Sequence, residues 1–251
     1  DGKDTIGTPG GTTTNDVFSA IVLNAGVNGT NNNFGEVLAS SLAGFVYVDA
    51  NNDGVKDGSE AVIANATVTL TGTDDLSAPV TATTTTDALG AWSFTGLRPG
   101  TYVVTETQPA GYLDGKDTIG TPGGTTTNDV FSAIVLGANV NGVNNNFGEV
   151  LASSLAGFVY VDANNDGVKD GSEAVIAAAT VTLTGTDDLS APVTATTTTD
   201  ALGAWSFTGL RPGTYVVTET QPAGYLDGKD TIGTPGGTTT NDVFSAIVLN
   251  A

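Results

Sequence analysis

Apolar and polar residues alternate in short runs along this chain, and Gly, Pro, Asn and Asp separate the runs. The alternation is clearest in Phe45–Val48 and Ala66–Thr71, where every second side chain can face a core while its neighbours face water. Val, Thr, Ile, Tyr and Phe dominate the runs, and no 3.6-residue helical period persists. The pattern therefore predicts an all-β protein.

The alternating runs predict seven strands in one complete module. Turn residues separate them, as in Asp87–Gly90 and Leu97–Gly100, where Pro and Gly suit a tight turn. Two packed antiparallel sheets are the expected result. The predicted strands are Leu42–Asp49, Ala66–Gly72, Val80–Asp87, Ala91–Thr95, Thr101–Thr107, Val130–Leu136 and Val143–Val150.

The chain is a tandem repeat. The same sequence begins at Asp1, Asp114 and Asp227. The repeat period is therefore 113 residues, which is an ordinary size for one domain. The strand pattern places the boundaries out of phase with the chain: residues 1–39 are the C-terminal part of a preceding repeat, 41–150 form a complete module, and 154–251 form a second module without its last strand. Residues 1–113 and 114–226 differ only at Asn24/Gly137, Gly26/Asn139, Thr30/Val143 and Asn65/Ala178.

The predicted boundaries suggest one way in which chains could assemble. An open sheet edge in module 154–251 and a spare strand at Asn31–Leu38 could pair between chains by strand addition. The alternative is that the sequence is an arbitrary window on a longer array.

Composition excludes several classes of function. The chain has neither Cys nor His, so disulfides, the usual zinc sites and triads with a histidine base are not available, and we expect no enzyme. Seven basic and 27 acidic side chains give a net charge of −20, which disfavours nucleic acid and anionic membranes as partners and favours divalent cations. No apolar run approaches the ~20 residues that span a bilayer, so this segment is not expected to insert into a membrane.

The segment Asp49–Glu60 recurs without change as Asp162–Glu173 and has an oxygen ligand at each position of a calcium-binding loop. Gly54 stands at position 6, where the chain must turn sharply, and the glutamate at position 12 can bind through both oxygens. An Asx-rich surface turn is the alternative, but such a turn needs no glutamate at position 12. The expected Ca²⁺ ligands are Asp49, Asn51, Asp53, Val55, Asp57 and Glu60, and Asp162, Asn164, Asp166, Val168, Asp170 and Glu173.

Other acidic and aromatic residues are weaker candidates. Trp92, Phe94, Tyr102 and Tyr112 could form a sugar-binding platform, but their alternate positions on strands favour a core. Several acids could form weaker metal sites where loops converge, although solvated turn acids are the favoured interpretation. These acids are Asp74, Asp75, Asp87, Asp114, Asp117 and Asp129.

Three segments, Gly44–Gly54, Thr85–Tyr102 and Thr105–Tyr112, resemble the SdrD B-like domain family, whose relatives are the Cna B-type modules. The resemblance implies a seven-stranded immunoglobulin-like or prealbumin-like sandwich that binds calcium and stacks into stalks beneath adhesin heads. Cna B-type relatives often form a Lys–Asn/Asp isopeptide bond beside a glutamate that Glu106 would match. Leu42–Asp49 contains no lysine, so no isopeptide bond is expected here.

These observations favour a calcium-stabilised structural repeat of a bacterial extracellular stalk, adhesin or filament, at the cell surface or secreted. We expect neighbouring repeats of the same protein as its partners, together with other copies if chains form a filament. The alternative is a carbohydrate- or protein-binding adhesion module in which repetition multiplies weak contacts into avidity.

Overall fold

The computed structural model describes residues 1–251 and is all-β. No segment forms a helix that is long and apolar enough to cross a bilayer. The strands are β1 Thr12–Thr14, β2 Val17–Ser19, β3 Ser40–Val48, β4 Thr67–Asp74, β5 Pro79–Thr85, β6 Ala91–Leu97, β7 Gly100–Glu106, β8 Tyr112–Asp114, β9 Thr125–Thr127, β10 Val130–Leu136, β11 Asn141–Gly142, β12 Phe147–Leu151, β13 Ser153–Phe158, β14 Thr180–Asp187, β15 Pro192–Thr198, β16 Ala204–Leu210, β17 Gly213–Glu219, β18 Thr238–Thr240 and β19 Val243–Leu249.

Spatial contacts group the chain into two units. Unit 1 comprises Asp1–Tyr47, Val62–Thr107 and Asp117–Phe147, and unit 2 comprises Val48–Ala61, Gln108–Lys116 and Gly148–Ala251. The first acidic loop therefore groups with unit 2. The predicted boundaries 1–39, 41–150 and 154–251 stay a prediction.

Unit 1 contains a five-stranded antiparallel sheet in the order β5-β4-β7-β10-β9. Strand β3 pairs antiparallel with β6 and parallel with β11. The core takes side chains from both groups of strands: Leu42 and Val46 of β3 and Val68 and Leu70 of β4 are fully buried. Burial of each such side chain contributes about 1.5–3 kcal/mol. The two layers thus close over one apolar core as a β-sandwich.

Unit 2 repeats this architecture. Its five-stranded sheet has the order β15-β14-β17-β19-β18, and β13 pairs antiparallel with β16. Strand β12 pairs antiparallel with β8, which sets Glu149 opposite Asp114. The core cluster draws on both layers and contains Leu155, Val181, Leu183, Phe207, Leu210, Tyr215, Val217, Ile247 and Leu249. This arrangement confirms the predicted all-β sandwich.

The last predicted strand differs from the observed one at its start, and local backbone conformation explains the difference. The last predicted strand, Val143–Val150, begins only at Phe147 because Asn144 has a left-handed φ of 61° and ends the extended run. Within the predicted spare strand, Asn31–Leu38, only Asn33 forms a β-bridge, to Thr5, and pairing of this segment with another chain stays a prediction. A polar, Asn-rich segment forms a strand only where a neighbouring backbone can pair with it.

Candidate metal centre

The first acidic loop leaves β3 at Asp49, which is fully buried. Its Oδ1 accepts a hydrogen bond from the backbone N–H of Asp53 (3.0 Å) and its Oδ2 accepts one from Gly54 (2.7 Å). Gly54 has φ +81°, a left-handed conformation that glycine adopts without steric cost. The backbone N–H of Asp49 donates to the carbonyl oxygen of Glu149 (2.7 Å). Position 1 of the loop is therefore anchored to the sheet.

Glu60 closes the loop from its other end. Its Oε1 accepts from the backbone N–H of Ala50 (3.0 Å) and its Oε2 from that of Asp57 (2.8 Å). Between these ends, the N–H of Asp53 donates to Asn51 Oδ1 (3.1 Å) as well as to Asp49. The side-chain oxygens of positions 1 and 3 therefore converge on one amide. The loop is folded in a compact form by its own side chains.

The second acidic loop has the same hydrogen bonds. Glu173 accepts from the N–H groups of Ala163 and Asp170, both at 2.9 Å, and Asp162 accepts from Gly167 (2.8 Å). Asn164 Nδ2 donates to Asp166 Oδ2 at 2.9 Å, just as Asn51 donates to Asp53 in the first loop. The loop arrangement thus recurs at the predicted place in the next repeat.

The donor set of both loops suits a hard divalent cation. All six predicted positions offer oxygen atoms, and each carboxylate oxygen held by one backbone amide keeps further acceptor capacity. Val55 and Val168, which would contribute only carbonyl oxygens, expose 58% and 59% of their surface. Strand β3, not a helix, precedes the first loop. The residues fit Ca²⁺, and their role as ligands stays a prediction.

Tighter groups of carboxylates occur outside these loops. Oxygens of Asp227, Asp230 and Asp242 lie within 4.8 Å of one another, as do oxygens of Asp1, Asp16 and Glu36. The N–H of Asp242 donates to Asp230 Oδ2 at 2.8 Å. The same bond joins Asp129 to Asp117, two of the acids that the sequence offered as weaker candidates. The 113-residue period relates these acids, and that signal could have revealed the grouping.

Burial perturbs the pKa values of the acids around the group of Asp227, Asp230 and Asp242. Burial, as the largest cause, and the charges of Asp242, Asp230 and Asp227 together raise the pKa of Glu219 to about 7. Burial also raises the pKa of Asp230 and of Asp242. The counterpart Glu106 is buried, with 3% of its surface exposed. This end of unit 2 therefore concentrates negative charge that is poorly solvated.

Other candidate acids have structural roles in turns. Asp74 Oδ1 accepts from the N–H groups of Leu76 and Ala78, both at 2.9 Å. Asp87 Oδ1 holds the next hairpin through the N–H groups of Leu89 and Ala91 at 2.8 and 2.9 Å. Such side-chain to backbone bonds explain why aspartate is favoured at these turns. Asp75 is bound instead by Arg98.

Three of the four aromatic candidates belong to the core, as the alternation favoured. Trp92, Phe94 and Tyr102 expose 2%, 6% and 0% of their surface. Trp92 lies 6.2 Å from Phe147, measured between ring centroids, in a tilted arrangement. Tyr112 is half-buried at the start of β8. Buried rings cannot present a platform to a sugar.

A comparison with protein families gives a direct result. The family model described as "SdrD B-like domain" matches residues 40–145 and 153–244. The chain belongs to the SdrD B-like domain family. This membership confirms the resemblance noted in Gly44–Gly54 and the segments that follow it.

Two curated relatives are similar over most of the chain. Serine-aspartate repeat-containing protein F of Staphylococcus epidermidis is 32% identical over 211 residues, which cover 84% of this chain and 12% of that protein. Serine-aspartate repeat-containing protein D of Staphylococcus aureus strain Newman is 35% identical over 209 residues, covering 81% of this chain and 15% of that protein. The chain thus spans a small part of the relatives it matches.

Two solved structures show a weaker likeness. The shaft pilin SpaA of Lactobacillus rhamnosus GG, as a double mutant, is 16% identical with a TM-score of 0.32, covering 86% of this chain and 97% of that one. The minor pilin GBS52 of Streptococcus agalactiae is 13% identical with a TM-score of 0.36, covering 84% and 91%. Likeness at this level carries no weight for function.

Proposed function

We propose that this chain is a calcium-stabilised structural repeat in the stalk of a bacterial extracellular adhesin or filament, where it projects other parts of the protein from the cell surface. The observation that carries the proposal is the twelve-residue loop closed by Glu60, which recurs with the same hydrogen bonds around Glu173. Membership of the SdrD B-like domain family, with much longer relatives that are serine-aspartate repeat-containing proteins by name, supports the structural role.

Bound Ca²⁺ would act on folding by neutralising carboxylates that repel one another. Asp49, Asp53, Asp57 and Glu60 bring four negative charges into one short loop. Extracellular calcium modules bind with dissociation constants of roughly 10⁻⁴–10⁻³ M. An ion held at 100 times its dissociation constant stabilises the folded state by about 2.7 kcal/mol. A loop of this kind makes stability depend on extracellular calcium.

Calcium titration tests the proposal directly. We expect calorimetry on the chelated protein to show one Ca²⁺ per acidic loop, and Glu60→Gln with Glu173→Gln to abolish this binding because the amide removes the charge and the bidentate ligand. Asp87→Asn with Asp200→Asn is the matched control, since it removes two charges from hairpin turns while the amide oxygen can still accept hydrogen bonds. Unchanged binding in the glutamine variant would contradict the assignment of the loops.

The adhesion alternative loses its best sequence feature. Trp92 and Phe94 lie in the core, so the structure offers no aromatic platform built from them. Projection, in contrast, needs only that each repeat be stable and that copies be joined in series.

Assembly with other copies by strand addition stays a prediction. The segment Phe34–Leu38 has the sequence of β12, and unit 2 has a cleft of about 540 Å³ lined by Leu155, Phe158 and Phe244 among others. Phe158 exposes 53% of its surface. A strand from a second copy could cover this cleft.

A further inference from the structure

The cleft of unit 2 corresponds to a filled site in unit 1. There, Phe147 is fully buried and stacks on Phe131, with the ring centroids 4.3 Å apart. The same ring lies 6.2 Å from that of Trp92, measured between centroids. Under this cover Phe131 and Trp92 expose 0% and 2% of their surface. Unit 1 therefore shows how a phenylalanine closes this part of the sandwich.

The corresponding site of unit 2 is open. Trp205 and Phe244, which follow Trp92 and Phe131 by 113 residues, are half-buried and line the cleft of about 540 Å³. Phe158 also lines the cleft and exposes 53% of its surface. Apolar surface of this kind gains free energy when another apolar group covers it. By the example of unit 1, the side chain that fits here is a phenylalanine.

A glycine keeps a path for a backbone across the cleft. In unit 1 the chain before Phe147 passes so close to Gly44 that a Cβ built on Gly44 would collide with the carbonyl oxygen of Asn145. Gly157, the equivalent residue of unit 2, lines the cleft, and the atoms nearest to a Cβ built there belong to the ring of Trp205. The space that Asn145 occupies beside Gly44 thus belongs to the cleft at Gly157.

The cleft also offers hydrogen-bonding groups to an asparagine. In unit 1, Asn145 is buried, and its Nδ2 donates to the carbonyl oxygens of Ala43 (3.1 Å) and Thr121 (3.4 Å). Its Oδ1 accepts from the backbone N–H of Gly120 (3.0 Å). The residues of unit 2 that are equivalent to these three partners all line the cleft: Ala156, Thr234 and Gly233. An asparagine two residues before a phenylalanine can therefore satisfy its amide in the cleft while the ring packs beside Phe244.

The chain contains this combination of asparagine and phenylalanine a second time. Residues 31–38 repeat the sequence of residues 144–151 without change. In this copy the phenylalanine, Phe34, stacks on Phe18 with the ring centroids 4.3 Å apart but still exposes 54% of its surface. Leu38, at the end of the segment, exposes 65%. The segment therefore carries an aromatic side chain that its own surroundings only partly bury.

Transfer of this segment into the cleft of another copy conserves its present partners. Asn32 Oδ1 accepts from the backbone N–H of Gly7 (3.0 Å), and in the cleft the equivalent N–H is that of Gly233, 226 residues later. The ring of Phe18 is replaced in the same way by that of Phe244. The net change is the burial of an exposed aromatic ring, which is favourable. Exchange of identical elements between copies is a low-cost route to assembly.

Charge favours another copy of this chain as the occupant. The chain has seven basic side chains, and two of them, Lys169 and Lys229, line the cleft together with one acid, Asp230. Residues 31–38 carry one charged side chain, Glu36. The cleft is thus locally basic on a chain of net charge −20, and it attracts a segment whose only charge is negative.

We propose that the cleft of unit 2 is the acceptor site for residues 31–38 of a second copy of this chain, with Phe34 as the apolar anchor and Asn32 as the polar one. The proposal rests on the filament function above, for which it names the partner and the contact between copies. It requires no ion in either acidic loop, so it is tested in the presence of chelator.

Sedimentation equilibrium of the full chain with chelator tests the contact. We expect the mean mass to rise with protein concentration, and Phe34→Ala to weaken the association by about tenfold or more because it removes the anchor. Since Phe34 is largely exposed, this variant should melt at the temperature of the parent chain. Phe18→Ala is the matched control, because it removes the ring that stacks on Phe34 within one copy. We expect it to leave the association as strong or to strengthen it.

A lengthened chain tests the acceptor side. A copy of residues 139–151 joined directly after Ala251 supplies the asparagine and the phenylalanine from the same molecule, since Ala251 follows Ala138 by 113 residues. We expect this lengthened chain to stay monomeric although its residues 31–38 are unchanged. A constant monomer mass of the parent chain overturns the proposal. So does association that persists in Phe34→Ala or in the lengthened chain, or that Phe18→Ala and Phe34→Ala weaken equally. Calcium calorimetry on the same samples tests the metal proposal separately.

Discussion

Gly167 is the position of the second acidic loop that tolerates a side chain least, and replacing it with alanine should destabilise unit 2. Gly167 has φ +80°, and a Cβ built on it would lie 2.8 Å from Thr231 Oγ1, closer than real Cβ contacts come. The hydroxyl of Thr231 donates to the carbonyl oxygen of Gly167 (2.5 Å), so the clash would also disturb this bond. Left-handed strain in a non-glycine residue costs about 1–3 kcal/mol.

The expected loss in Gly167→Ala is therefore about 1–3 kcal/mol, or a melting temperature lowered by about 4–8 °C per kcal/mol for a domain near 100 residues. Calcium affinity should fall as well, because the N–H of Gly167 positions Asp162 at the head of the loop. Thermal unfolding followed by tryptophan fluorescence, with chelator and with calcium, measures both effects.

Gly171→Ala is the control within the same loop, since a Cβ at Gly171 would meet no atom within 4 Å and its φ is not left-handed. We expect Gly171→Ala to be neutral or slightly stabilising, because it lowers the entropy of the unfolded chain. Equal destabilisation by the two substitutions, or a neutral Gly167→Ala, would refute the argument from backbone conformation.

Three further predictions follow from burial and charge. The folded-state pKa of Glu219 is about 7 and its unfolded value is 4.5, so folding takes up a proton between these pH values. The chelated protein should therefore lose stability as pH rises from about 4.5 to about 7. Glu219→Gln should flatten this pH dependence in urea titrations at pH 5 and 8. Leu183→Ala should cost about 2–5 kcal/mol in the same assay because the side chain is fully buried, whereas Leu226→Ala, at 95% exposure, should change stability by less than about 0.5 kcal/mol. Sedimentation at rising protein concentration should show association if Phe34–Leu38 adds to another copy, and a constant monomer mass would exclude it.

Strand positions could be predicted from the sequence where side chains alternate against a core. Val130–Leu136 was predicted with both ends as observed, because apolar residues bounded by turn residues mark a buried strand. The onset at Phe147 could not be predicted, since the left-handed φ of Asn144 is not visible in an Asn-rich run. The partner of Asn31–Leu38 could not be predicted either, because a strand depends on partners that local sequence does not encode.

The acidic loops and the contacts of Arg211 differ in how far their residues lie apart in sequence. The candidate ligands of the loop could be proposed from the sequence because they lie within twelve consecutive residues at the spacing that calcium loops use, and their role as ligands stays a prediction. The contacts of Arg211 lie 23 and 97 residues away in sequence, to Asp188 and Asp114, so no local motif announces them. The period offered an indirect signal, because an arginine kept at the same place in each repeat has the same neighbours in each.

The acidic side chains that give the net charge of −20 are distributed in a way that links stability to the proposed function. Acids such as Asp87 and Asp188 are compensated within the fold by backbone N–H groups or by arginine. The group of Asp227, Asp230 and Asp242 gathers carboxylates within 4.8 Å, and burial raises the pKa of two of them. Such clustered negative charge destabilises the folded state in the absence of cations. Since every repeat carries the same arrangement, each added copy extends the chain without adding new chemistry, and its stability is expected to depend on ions in the same way as that of its neighbours.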